Sequence, residues 1–199
     1  MINHDLKCIF IHCQKCAGES IEKALCGKAD KGYGGDYFEG SPEKHKGLNF
    51  YKKNYSNEFK TYFRFTVVRN PYDRFISWVK YRDLRWGLYN GEISHKCLLK
   101  EANLPIYKNN SYKKLLNLKM ENKFFVNEMD FIAKFENLNE DFKYVSKKLS
   151  LKLKLPHVNK SSKEIIHYSK YYNEELIDKV SEIYKDDLKF FNYKFEENI

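Results

Sequence analysis

Short, continuous apolar runs alternate along the chain with longer stretches in which apolar residues recur every three or four positions. Cys8-Ile9-Phe10-Ile11-His12 has no polar alternation, the pattern of a strand covered on both faces in a parallel sheet. A helical pattern begins at Ser20, with Ile21, Ala24 and Leu25 on one face, and Gly27 ends it. The strongest strand signal is Phe63-Arg64-Phe65-Thr66-Val67-Val68-Arg69. Asn70-Pro71 closes that run, Pro71 suits the first turn of a helix, and Tyr72, Phe75, Ile76 and Val79 follow at helical spacing. Two successive strand–loop–helix units are therefore predicted. Residues 130–135 read as a further strand. A helix from about Asn139 carries Leu138, Phe142, Val145 and Leu149, with a cap and with Glu140 and Asp141 in its first turn. One last helix carries Leu176, Ile177, Val180, Ile183, Tyr184 and Leu188. Strands alternating with helices predict an α/β fold around a central, mainly parallel sheet.

The remaining segments lack periodicity. Residues 27–60 are rich in Gly, Lys, Asn and Tyr, and a connection of that length reads as a lid or binding segment. Residues 90–122 carry weak signals and read as a variable insertion, and Pro156-His157-Val158-Asn159-Lys160-Ser161-Ser162 reads as a polar loop. No repeat or linker interrupts the chain. Its 199 residues favour one domain, 1–199, or one domain with an inserted flap.

Composition narrows the function classes only partly. At 42% hydrophobic and 17% aromatic residues the chain has the material for a core, which excludes wholesale disorder. A net charge of +9 suits an anionic partner such as a nucleotide, a phosphate, a sulfated glycan or a nucleic acid. It does not choose among them, and lysines spread along the whole chain fit a solvated basic surface as well. The clustered arginines or aromatic platform of a nucleic-acid binder are missing, so no nucleic-acid partner is expected. Five cysteines form no regular framework, and no signal peptide or apolar run of transmembrane length is present. The expectation is a cytoplasmic protein with no transmembrane segment.

The candidate chemistry starts in the loop His12-Cys13-Gln14-Lys15-Cys16-Ala17-Gly18-Glu19-Ser20. A turn from a buried strand into a helix aims backbone N–H groups and the positive helix end at one point. Ala17 and Gly18 let an anion approach the backbone, Ser20 adds a hydroxyl and Lys15 a full positive charge, which together describe a phosphate or sulfate cradle. It is not a Walker A motif, because the lysine precedes the glycine. An ordinary strand–helix turn with a surface lysine fits the same residues. Cys13-x-x-Cys16 has the spacing of a redox pair or half a metal site, but no second pair follows. Without a carboxylate cluster or a His/Cys set at ligand spacing, no metal is expected.

Taken together, two segments resemble a known family. Ile9-Phe10-Ile11-His12-Cys13-Gln14-Lys15-Cys16-Ala17-Gly18-Glu19-Ser20-Ile21 is similar to the first nucleotide-binding motif of the type 2 sulfotransferases. Phe65-Thr66-Val67-Val68-Arg69-Asn70-Pro71-Tyr72-Asp73-Arg74-Phe75-Ile76-Ser77 is similar to their second. The segments 131–138 and 155–161 also look familial, while 27–60 and 85–125 resemble the family least and would face the acceptor. The resemblance implies a P-loop-like three-layer sandwich that uses 3′-phosphoadenosine 5′-phosphosulfate (PAPS) as sulfuryl donor, without a metal. It implies that Lys15 sits at the 5′-phosphosulfate and that Cys16, Ala17, Gly18, Glu19 and Ser20 hold that phosphate. Arg69 and Ser77 would hold the 3′-phosphate, and Lys160 would lie near the nucleotide. The acceptor would be a hydroxyl, on a glycan or glycoconjugate. Gln14, Cys16 and Glu19 depart from the family pattern, which commonly carries Pro, Thr and Thr there. A carboxylate at Glu19 repels a phosphate unless it is turned away or paired.

Sulfuryl transfer needs a charge at the leaving phosphate oxygen, for which Lys15 is placed, and a base for the hydroxyl proton, for which histidine is suited. Of the six histidines, His45 in Glu43-Lys44-His45-Lys46 matches the family's Lys-His pair and is the preferred base. His157 and His12 are the alternatives, and an exposed, non-catalytic His45 also stays open. Two other classes compete with a transferase: a nucleotide-binding protein of the same fold without transfer, and a basic nucleic-acid binder.

Overall fold

The computed structural model describes residues 1–26, 45–121, 124–126, 128–151, 155–156 and 166–197. Six strands and ten helices follow in chain order among these residues. They are β1 (Ile2–Asn3), β2 (Cys8–Ile11), α1 (Gly18–Cys26), α2 (Leu48–Asn54), α3 (Ser56–Thr61), β3 (Phe63–Val68), α4 (Pro71–Trp86), α5 (His95–Ala102), α6 (Pro105–Asn109), α7 (Tyr112–Leu115), β4 (Lys119–Glu121), β5 (Phe124–Val126), β6 (Phe131–Lys134), α8 (Leu138–Lys148), α9 (Glu174–Ile183) and α10 (Lys185–Phe191). The chain divides into two compact units, Met1–Val68 with Tyr112–Asn159, and Arg69–Ser111 with Lys160–Ile199.

The first unit is α/β. Its main sheet has the order β1-β2-β3-β6, with β1 antiparallel to β2 and the other neighbours parallel. Cys8 to Ile11 pair with Phe63 to Thr66, and Phe65 to Val68 pair with Phe131 to Lys134. All four residues of β2 are buried, which is why that strand has no polar alternation. Phe10 packs on Phe65 with ring centroids 5.0 Å apart, and α1 turns Ile21 and Leu25 into the core. At the start of β6 the Arg64 guanidinium makes two bonds to Asp130, of 2.9 and 2.7 Å, and the Arg64 N–H donates to the same carboxylate at 2.8 Å. Burial raises the Asp130 pKa, but the Arg64 hydrogen bonds outweigh it and hold that carboxyl below its ordinary range. Helix α8 starts at Leu138, and Asn137 at its cap makes no side-chain bond there. Asp141 holds the turn instead, accepting from the Lys134 N–H at 2.6 Å and from the Asn137 amide at 3.0 Å. Strands β4 and β5 form a separate antiparallel hairpin.

The described part of the predicted lid, from His45 onward, is more ordered than its composition implies. It contains α2 and α3, anchored by buried Leu48, Tyr51 and Phe59. Helices of seven and six residues are too short to display a period, so the sequence hid them.

In the second unit, α4 follows its sequence signals closely. The Asn70 side chain accepts from the Tyr72 N–H at 3.1 Å, Pro71 occupies the first turn, and Gly87 ends the helix in the left-handed conformation at φ 61°. Tyr72, Phe75, Ile76 and Val79 pack with Leu98, Ala102, Tyr107, Leu176 and Val180. Arg74 is fully buried beside them, its guanidinium 5.6 Å from the Trp78 ring and donating to the Asn110 carbonyl at 2.9 Å. The final helix is two helices. Tyr184 leaves the helical region at φ −109° and ψ 21°, yet stays buried in line with Leu176 and Val180, so the apolar stripe runs across the break unmarked. Among the described residues no helix is long and apolar enough to cross a membrane.

Candidate active site

Strand β2 delivers the chain to the carboxyl edge of the sheet, and α1 begins at Gly18. In the loop between them Lys15 and Ala17 adopt left-handed backbone angles, φ 64° and 59°, while Cys16 between them does not. Such alternation turns successive N–H groups toward one concave side, a geometry that binds anions. It leads directly into the first-turn N–H groups and positive dipole end of α1. Left-handed angles cost a non-glycine residue on the order of 1–2 kcal/mol, so the loop needs support. Thr66 supplies part of it. Its hydroxyl donates to the Ile11 carbonyl at 2.8 Å and lies 3.4 Å from the Cys13 sulfur. Cys16 adds to it, with its sulfur 3.2 Å from the Tyr112 hydroxyl and donating to the Gln14 carbonyl at 3.4 Å. Cys13 and Cys16 are thus buried thiols with different partners, bracing the loop. The C-x-x-C spacing has this structural explanation.

Lys15 is half-buried in the middle of the loop, and Ser20 is buried in the first turn of α1. Glu19 stands in the same turn, half-buried, where a carboxylate favours the positive helix end.

His45 lies against this loop. Its backbone is also left-handed, at φ 69°. Its Nδ1 is 3.2 Å from the main-chain oxygen of His12, and its ring meets the His12 ring edge-on at 4.3 Å and 70°. A carbonyl oxygen only accepts, so in this contact His45 Nδ1 carries the proton. His12 is itself enclosed. Its Nδ1 donates to Glu22 at 2.8 Å, with the two side chains 4% and 5% exposed, and its ring rests on Gly18.

The first unit therefore gathers residues 15–20 with His45, the latter beside His12 only three positions before Lys15. Arg69 and Ser77 belong to the second unit, Arg69 just before α4 and Ser77 inside it, about two turns from its start. Arg69 Nε donates to Asp73 at 2.7 Å, and Asp73 and Ser77 follow one turn apart along the helix. Lys160 and the alternative base His157 lie outside the described residues. Sequence reasoning missed Glu22, Thr66 and Tyr112. Glu22 carried a signal, a charge inside the apolar face beside Ile21 and Leu25. Tyr112 carried none, because only folding brings it to a loop 96 positions away.

No curated protein and no solved structure matches the chain. A family model does, described as the sulfotransferase family, and it aligns with residues 1–122. That span contains the loop after β2, His45, β3 and α4, and it is more than half of the 199 residues. The chain belongs to the sulfotransferase family.

Proposed function

We propose that the protein transfers the sulfuryl group of PAPS to a hydroxyl of a carbohydrate acceptor. The observation that carries this reading is the left-handed alternation at Lys15 and Ala17 at the mouth of α1, with His45 beside it. A loop of that shape suits a doubly charged phosphosulfate, and family membership supplies the reaction type. In the proposed step the acceptor oxygen attacks sulfur in line as His45 Nε2 takes its proton. The S–O bond to the 5′-phosphate breaks, and Lys15 with the N–H groups of residues 16–20 stabilises the charge gained by the leaving oxygen. Arg69 and Ser77 are assigned the 3′-phosphate, and Lys160 a nucleotide contact, on their motif positions alone. The proposal needs no metal. It treats the chain as one transferase domain of P-loop-like three-layer type, acting in a reducing cytoplasm where its five free thiols persist.

The test is a transfer assay with labelled PAPS against a panel of glycans and small hydroxyl compounds. Adenosine 3′,5′-bisphosphate and ATP are compared in parallel as thermal stabilisers. Labelled product, with stabilisation by the bisphosphate and little by ATP, is the expected result. Stabilisation without any product would leave a nucleotide-binding protein that lacks transfer. Preference for ATP would overturn the donor.

A further inference from the structure

We propose that Glu22 and His12 are positioning residues for His45: the buried carboxylate–imidazole pair fixes the ring on which the base packs, beside the His12 main-chain oxygen that takes its Nδ1 contact. The proposal rests on the reading of His45 as that base.

Three observations converge. A carboxylate inside the apolar face of α1 is costly unless it is bonded, and Glu22 has its bond from His12 Nδ1 at 2.8 Å. With Nδ1 committed to Glu22 and the ring seated on Gly18, His12 has no room to turn. His45 then takes two contacts from this one fixed residue: its Nδ1–H points to the His12 carbonyl, and its ring abuts the His12 imidazole. A left-handed residue persists only where its surroundings over-determine it, and His45 is such a residue. Glu22 does not reach the reacting atoms in this arrangement. It holds His12, and His12 holds His45 with Nδ1 on the carbonyl.

The experiment compares Glu22→Ala, Glu22→Gln, His45→Ala and the Glu22→Ala/His45→Ala double variant in the PAPS transfer assay, with calorimetric binding of adenosine 3′,5′-bisphosphate. Misplacement of a base by a fraction of an ångström to an ångström costs about 10–100-fold in turnover. Glu22→Ala should show such a loss while nucleotide affinity stays within about threefold of wild type, and Glu22→Gln, which keeps an acceptor oxygen, should recover most of it. The double variant should be no slower than His45→Ala alone, because Glu22 acts only through His45. A slow His45→Ala beside a normal Glu22→Ala overturns this proposal and leaves the base intact. A further loss in the double variant also overturns it. A normal His45→Ala overturns the base and the positioning role with it. If Glu22→Ala does not fold, nitrogen-15 histidine spectra of the wild-type protein decide. His12 with a proton on Nδ1 supports the proposal, and a proton on Nε2 alone, which leaves Nδ1 unable to donate to Glu22, overturns it.

Discussion

The imidazole of His12 fills the space that a side chain on residue 18 would need: a methyl group at Gly18 would lie 2.0 Å from His12 Nε2 and 2.1 Å from Cδ2. Gly18 does not take a left-handed φ, so close approach, not backbone freedom, explains the glycine. In a helix alanine normally gains about 1 kcal/mol over glycine. Gly18→Ala should show the reverse sign, because the ring is held by Glu22 and cannot yield cheaply. The expected loss is about 1–3 kcal/mol in denaturant unfolding, with weakened nucleotide binding. A variant at least as stable as wild type would show that His12 moves freely.

Lys15 and His45 should separate in a pH profile. Lys15→Ala should lower turnover by about 10²–10³ through loss of charge stabilisation at the leaving oxygen. His45→Ala should lower it by about 10²–10⁴. Wild-type turnover should rise with pH through the histidine range, and that limb should persist in the lysine variant and vanish in the histidine variant. A limb that survives in His45→Ala would move the base to His12 or His157.

Arg69→Ala should weaken adenosine 3′,5′-bisphosphate by about 1.5–3 kcal/mol in calorimetry while turnover at saturating PAPS stays close to normal, because the 3′-phosphate takes no part in bond breaking. Asp73→Asn should have a smaller effect in the same direction, since Asp73 orients the arginine through its Nε. Unchanged affinity in folded Arg69→Ala would remove the residue from the donor contacts.

Burial pushes the Cys8 thiol up to about 12 and, with a contribution from Glu22, the Cys26 thiol up to about 11. A raised folded-state pKa favours the neutral thiol, so this stabilisation is complete below the unfolded value near 8.5 and declines as pH rises toward 11–12. Unfolding free energy should therefore fall between about pH 9 and 11, and less steeply in Cys8→Ala. Native protein at pH 8 should leave Cys8 unlabelled by a thiol reagent that labels it in denaturant. Rapid native labelling would contradict the burial.

The two strand–loop–helix units were legible because each rests on local rules. The continuous apolar runs at Cys8–Ile11 and Phe63–Val68 mark doubly covered strands, and Asn70, Pro71 and Gly87 supply cap, first turn and stop for α4. The resemblance likewise needed only contiguous residues. Residues 27–44 and 157–165, which include Lys160, lie outside the described residues, so the readings placed there stand as expectations.

By itself the sequence determined the α/β order of elements, the loop carrying Lys15 and the family. All of these follow from residue type and spacing within a window of a few turns. The tertiary structure alone decided what braces that loop and what holds His45. Thr66, Tyr112 and Glu22 act through contacts between distant segments or across a helix face, and neither periodicity nor motif spacing carries such contacts. The break at Tyr184 was no more legible. Its apolar stripe continues through Leu176, Val180 and Tyr184, so periodicity alone does not mark where the backbone turns.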